Sequence, residues 1–197
     1  MMGDRAPADT APLFDETGPV IVVTGPPGAG KTTVARLLAD ELSPGVHLHT
    51  DDFWHYIRRG WIAPYLPEAH WQNEIVMDVL VHAAFGYAAG GYHVFVDGIV
   101  GPWFIDRFRT ASRETGNPLH YIVLRPDEAT ALHRTTTRGD QALTDAGPVR
   151  SLYRQFADLG TFEGHALDST QLTPARTADA VLRGIAERSF LLGEVPA

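Results

Sequence analysis

Short, almost uniformly apolar runs recur along the chain at Val20–Thr24, Val46–Thr50, His93–Asp97, Leu119–Leu124 and His165–Asp168. Most are too apolar or too short to alternate as half-exposed hairpin strands, so the pattern predicts buried parallel strands. Between the runs the period changes to that of a helix. Val34, Leu37, Leu38 and Leu42 share one helical face, and Val76, Val79, Leu80, Ala83 and Tyr87 share another that stops at Gly90 and Gly91. Asp127 opens a later helix that Gly139 ends. Thr173 and Pro174 supply N-cap and first-turn chemistry for a last one carrying Ala178, Val181, Leu182 and Ile185. Strands that alternate with helices are joined by right-handed crossovers, so the expected class is α/β, a parallel sheet with helices on both faces.

Composition narrows this picture. A chain of 197 residues with 44% hydrophobic content can bury one domain well. Residues 1–18, rich in Ala, Pro, Asp and Thr, are expected to begin as a flexible tail, leaving residues 19–197 as a single domain. The net charge of −8 comes with no basic block, which argues against nucleic acid and against an anionic membrane as partners. No apolar run approaches the ~20 residues of a membrane helix, and the first residues lack the basic start and apolar core of a signal peptide. Cysteine is absent, which excludes disulfides and thiolate metal sites. The expected location is the cytoplasm. Composition does not fix the oligomeric state.

Charge chemistry then singles out one residue. Fifteen of the 16 basic residues are arginine, and the only lysine is Lys31, in the stretch VIVVTGPPGAGKTT. Gly25, Pro26, Pro27, Gly28, Ala29, Gly30, Lys31 and Thr32 match G-x-x-x-x-G-K-[ST], between the first predicted strand and the first predicted helix. Glycines there let backbone N–H groups curl around a phosphate at a helix N-terminus. A compact ammonium on a flexible stem reaches between phosphates where a planar guanidinium does not fit. The motif therefore predicts a bound polyphosphate with Lys31 as its catalytic contact. Thr32 is expected to ligate Mg2+ and Thr33 to donate near the α-phosphate.

Carboxylates follow at the ends of two predicted strands. Asp51 and Asp52, in HLHTDD, stand at the sheet edge where open α/β proteins bind ligands. A carboxylate there can orient a substrate hydroxyl and accept its proton, while its neighbour reaches substrate or the metal shell; the alternative for Asp52 is to cap the helix that follows. Asp97, after three apolar residues in VFVDG, ends a strand in the manner of a Walker B aspartate and is the expected second Mg2+ group. Trp54, Tyr56, Trp61, Tyr65 and Trp71 crowd residues 53–71 and suggest an aromatic-walled acceptor pocket, with Arg58 among its polar groups, or else ordinary packing of an inserted segment. Trp103, Arg107 and Arg109 lie beyond a strand end, a place for the far wall. The nine histidines show no paired spacing that predicts a metal site, and most are expected to be structural or on the surface.

GPPGAGKTT, the TDD after the second strand, VFVDG and YIVLRPDEATALHRTTTRGD together resemble the small P-loop kinases of the shikimate, gluconate and adenylate kinase group. The spacing is most like that of AAA-type P-loop proteins and chloramphenicol phosphotransferase-like proteins. The resemblance spans about residues 20–185, although only the phosphate loop is specific. It implies a three-layer P-loop fold with five parallel strands and a small lid, about residues 135–151, that closes over the nucleotide. It implies phosphate contacts from Gly25 to Thr33 and makes Asp51 the base. It places lid arginines at Arg134 and Arg138, with Arg138 supplying the catalytic cation and Arg134 holding the base or a phosphate. The residues from Asp168 to Pro174 fall beside the adenine. Arg150 and Arg154, another i, i+4 pair, are further lid candidates or else surface ion-pairing residues.

These readings converge on an ATP-dependent kinase acting on a hydroxyl of a small molecule. A nucleoside or nucleotide kinase is the alternative within enzymes, disfavoured because no dense arginine set awaits a second phosphorylated substrate. From another class comes an ATP-binding switch or an ATPase without a small-molecule acceptor. A GTPase with an N-K-x-D or T-K-x-D guanine-reading segment is excluded, because Lys31 is the only lysine.

Overall fold

In the computed structural model, which describes residues 17–136 and 146–192, five strands form one sheet in the order β2-β3-β1-β4-β5. The strands are β1 (Val20–Thr24), β2 (Gly45–His49), β3 (His93–Asp97), β4 (Leu119–Leu124) and β5 (Ala166–Leu167). Every pairing among them is parallel. β1, β3 and β4 have the bounds that the apolar runs predict, and they are nearly or wholly buried. Such strands are apolar throughout because helices cover both of their faces.

The helices are α1 (Lys31–Glu41), α2 (Thr50–His55), α3 (His70–Ala89), α4 (Pro102–Thr115), α5 (Glu128–Thr136), α6 (Ala146–Gln155) and α7 (Pro174–Ala186). Residues on α3 and α4 pack with Val20, Val22, Val94, Val96, Tyr121 and Val123 on one face of the sheet. On the other face, α1 and α7 cover Ile21, Val23, Phe95, Ile122 and Leu124. Thr173 caps α7, its hydroxyl accepting from the Arg176 N–H at 3.3 Å, and Asp127 accepts from the Thr130 N–H at 2.7 Å at the start of α5. No helix among the described residues is long and apolar enough to cross a membrane.

Several expectations change. Thr50 begins α2 instead of ending β2, so Asp51 and Asp52 fall in the first turn of a helix. β5 is two residues long, and the edge of β4 that it leaves open is closed by the C-terminal segment: Leu191 bridges antiparallel to His120, and the Tyr121 N–H donates to the Phe190 carbonyl at 2.9 Å. Leu37, Val79 and Tyr87, expected on buried faces, are exposed. α4 buries only Ile105 and Phe108, which is why its polar sequence gave no helical stripe. Residues 137–145 of the expected lid, with Arg138, lie outside the described residues, as do residues 1–16 of the expected tail.

Candidate active site

The phosphate loop leaves β1 and enters α1 through backbone that only glycine adopts easily. Gly25 has φ +141°, and a Cβ there would stand 2.1 Å from the Leu124 carbonyl oxygen. Gly28 has φ +80°, and its Cβ would meet the Ala131 carbonyl of α5 at 2.1 Å. The loop is therefore wedged between β4 and α5, and side chains at these positions would force it open. Lys31 begins α1, and its Nζ donates to the carbonyls of Gly25 and Pro26 at 3.0 Å each. Those bonds hold the ammonium across the curl of the loop, where an anion seated on the loop would also stand.

Beside the loop lies a cavity of about 260 Å3, lined by Gly28–Gly30, Thr33, Arg134, Leu172, Pro174 and their neighbours. Arg134 on α5 donates to the Ser169 and Thr170 carbonyls at 3.3 Å. The guanidinium thus joins α5 to the segment after β5, and both border the cavity. This brings together the loop, Arg134 and the expected base-side segment.

Asp97, at the end of β3, is 0% exposed. His47 and His49 lie two apart on β2, hence on one face of the strand, and β2 pairs with β3 so that His49 stands opposite Asp97. His47 Nε2 donates to Asp97 Oδ1 at 3.0 Å and His49 Nδ1 donates to the same oxygen at 2.7 Å. Burial pushes the Asp97 carboxyl up, but the hydrogen bonds from His47 and His49, with the Thr32 hydroxyl close by, outweigh it and hold the group well below the usual carboxylate range. Asp97 Oδ2 is buried and makes no hydrogen bond among the described residues. An ionised, buried carboxylate with one oxygen unbonded and the Thr32 hydroxyl close to the group fits a hard divalent cation.

Asp51 stands at the mouth of this arrangement, its side chain 68% exposed, with Oδ2 3.6 Å from His49 Nε2. One imidazole therefore spans the buried carboxylate and the exposed one. The hydrogen bond to Asp97 is the main cause that raises the His49 pKa above its ordinary value, with the charges of Asp97, Asp51 and Asp52 adding to it against the cost of burial. Asp52 is exposed as well, and the N-cap of α2 is His49 without a side-chain bond, so Asp52 does not cap the helix.

The expected acceptor wall takes a different form. Trp54 is buried and its Nε1 donates to Asn73 Oδ1 at 2.8 Å, which makes it a packing residue between α2 and α3. Gln72 exchanges two hydrogen bonds with the backbone of Ile62, and Asn73 donates to the Pro64 carbonyl. These two amides at the start of α3 staple the connecting loop down. Tyr56, Trp61, Tyr65 and Trp71 are left on the surface, Trp71 at 73% exposed, instead of being buried as pocket walls. Arg58 is exposed as well. Arg107 is drawn away from the expected wall, because its guanidinium bonds both Glu74 and Asp78 on α3. Trp103, at the start of α4, packs against Phe156 just past α6, with ring centroids 5.8 Å apart. Arg150 pairs loosely with Glu128 at 3.8 Å, and Arg154 is exposed.

Two groups of side chains had no sequence reading. His47 and His49 carried one usable signal, the i, i+2 spacing in HLH, but their target is 48 residues away on another strand. Arg125, after β4, forms a forked pair with Glu163 at 3.0 and 2.8 Å and bonds the Phe156 carbonyl, fixing the chain beyond α6 to the strand ends.

The model of a family described as AAA domain matches residues 21–150. No curated protein sequence matches the chain significantly. Among solved structures, the tunicamycin resistance protein of Deinococcus radiodurans aligns over 90% of this chain and 99% of its own, at 19% identity and a TM-score of 0.62. The APS kinase CysC of Mycobacterium tuberculosis, solved with AMPPNP and APS, aligns over 87% and 99% at 19% identity and a TM-score of 0.65. Shikimate kinase from Acinetobacter baumannii, solved with shikimate, aligns over 88% and 96% at 22% identity and a TM-score of 0.58. With a phosphate loop between β1 and α1 and five parallel strands in the order 2-3-1-4-5, the chain belongs to the AAA-domain family and has the fold of the small P-loop kinases.

Proposed function

We propose that this protein is an ATP-dependent phosphotransferase that acts on a hydroxyl of a small molecule. The observation that supports the reading is the chain of contacts from Asp51: an exposed carboxylate 3.6 Å from His49, the histidine that holds the buried Asp97 at the end of β3, next to the strand that leads into the phosphate loop. The structural relatives support it, since kinases with a nucleotide analogue or with shikimate bound share the fold.

In this reaction Asp51 accepts the proton of the acceptor hydroxyl as its oxygen bonds to the γ-phosphorus. The bond from that phosphorus to the β–γ bridging oxygen breaks, and ADP leaves with the electron pair. Lys31 and the N–H groups of the loop balance charge on the phosphates, and Arg138 supplies a further cation to the moving phosphoryl. Arg134 holds the nucleotide from the α5 side. Thr32 and Asp97 are the residues suited to Mg2+, whose chemistry is to neutralise developing phosphate charge. Asp52 and Arg58, both exposed, are the proposed groups to orient the acceptor, while Trp54 and Arg107 serve packing and helix clamping.

The test is ADP formation from Mg-ATP across a panel of sugars, nucleosides, antibiotics and other hydroxylated compounds. At least one compound should raise the rate well above that with water alone. A rate that no member of the panel changes would favour an ATP switch or ATPase, and stimulation confined to nucleosides or nucleotides would move the assignment to a nucleoside or nucleotide kinase.

A further inference from the structure

Asp97 is held in a way the phosphotransfer chemistry alone does not require. Two imidazoles from β2 converge on one of its oxygens, Oδ1, and both must donate, because a carboxylate only accepts. Among the described residues the other oxygen, Oδ2, meets no hydrogen-bond partner, although the side chain is wholly buried and the Thr32 hydroxyl lies near the carboxylate. Burying an unsatisfied carboxylate oxygen is costly and is kept only where the oxygen has another use. A lone donor would let the carboxylate turn about its χ2 axis and share its oxygens. Two donors from adjacent positions on one strand face lock it in a single orientation, with Oδ1 occupied and Oδ2 available.

We propose that His47 and His49 are positioning residues that hold Asp97 as a one-oxygen ligand, presenting Oδ2 to the metal that accompanies the nucleotide. His49 does this through Nδ1, which leaves Nε2 turned toward Asp51 at 3.6 Å. Movement of Asp97 would thus also be felt at the exposed carboxylate. The proposal deepens the phosphotransferase reading and rests on it only for the presence of a metal-bound nucleotide.

The test is Mn2+ binding, followed by electron paramagnetic resonance, to the full chain saturated with the non-hydrolysable analogue AMPPNP. His47→Leu/His49→Leu removes both donors, and should weaken Mn2+ binding by about 10- to 100-fold, the range for loss of outer-shell support. Metal-free AMPPNP affinity should stay within about threefold of the parent, which separates loss of a metal ligand's orientation from general damage to the site. His47→Gln/His49→Asn returns an N–H close to where Nε2 and Nδ1 stood, and should restore Mn2+ affinity to within about threefold.

Parent-like Mn2+ affinity in the leucine variant overturns the proposal. So does failure of the amide variant to restore it while the protein remains folded by circular dichroism. If the leucine variant does not fold, the single changes His47→Leu and His49→Leu, each keeping one donor, take its place, and parent-like Mn2+ affinity in both has the same meaning. Absence of acceptor phosphorylation in the parent protein would count against the proposed function and leave these binding results unchanged.

Discussion

The two sides of the cleft are built by different means. On the nucleotide side the work falls to backbone and buried groups: glycines wedged against β4 and α5, Lys31 tied to loop carbonyls, and Asp97 fixed by two histidines. On the proposed acceptor side, residues 51–71 display many side chains on the surface, anchored by Trp54, Phe53, Ile57 and Ala69 in the core and by the amides of Gln72 and Asn73. A polyphosphate has one geometry to be matched, so backbone can match it. In the proposed reaction, an acceptor would be recognised by exposed groups that can change while the loop stays stapled in place.

The contrast can be broken from either side. The largest effect is expected at the junction, where Asp51→Asn removes the proposed base but no phosphate contact. Turnover should fall by about 10²- to 10⁴-fold, the contribution of general base catalysis, with Mg-ATP affinity near that of the parent by calorimetry. Full turnover in this variant would transfer the base role to Asp52.

Lys31→Ala should weaken nucleotide binding by about 10- to 100-fold, the loss of a charge-assisted hydrogen bond, and Lys31→Arg should not rescue it. Circular dichroism should remain unchanged in both, since the side chain leaves the first turn of α1 toward the loop carbonyls and takes no part in the core. Rescue by arginine would mean that the loop does not discriminate cation shape.

Acid should loosen the sheet beneath both walls alike. Burial, with the nearby charges of Arg188 and His165, pulls the His120 pKa down from 6.5 to about 4. The folded state therefore keeps this imidazole neutral while the unfolded chain takes up a proton first. The stability it contributes is present above pH 6.5 and is lost as pH falls toward 4, by about 3 kcal/mol at the full shift. Denaturant melts of His120→Asn should lack that part of the pH dependence, and an unchanged profile would contradict the burial argument.

A smaller effect is expected on the acceptor wall. Asn73→Ala leaves the Trp54 N–H without its partner and frees the Pro64 carbonyl, costing about 1 to 2 kcal/mol in chemical denaturation. Nucleotide affinity should not change, whereas the KM for an acceptor should rise. A shift in nucleotide affinity would show that the two walls are not independent.

The same division governs what the sequence reveals. β1, β3, β4 and the phosphate loop are legible because each rests on contiguous residues: an apolar run, or glycines and a lysine at fixed spacing. α1, α3, α5 and α7 are legible as helices from period and caps, yet the exposed positions of Val79 and Tyr87 depend on where the sheet ends. Asp97 is legible as a strand-end carboxylate. That His47 and His49 meet it depends on strand order, which puts β2 beside β3, and no local pattern encodes that. Trp54 and Arg107 misled for the same reason. An aromatic or an arginine near a site is marked in the sequence by type alone, and only packing assigns Trp54 to Asn73 and Arg107 to Glu74 and Asp78.

The central claim, transfer of a phosphoryl group to an acceptor hydroxyl through Asp51, is tested most directly by following the γ-phosphorus itself. ATP labelled with 18O on its γ-phosphoryl is incubated with the protein, Mg2+ and an acceptor that stimulates turnover, and the products are read by 31P resonance. The account predicts a phosphate ester that retains the labelled oxygens, formed in step with ADP and abolished by Asp51→Asn. Labelled inorganic phosphate as the sole product, released at a rate that Asp51→Asn leaves unchanged, would contradict it.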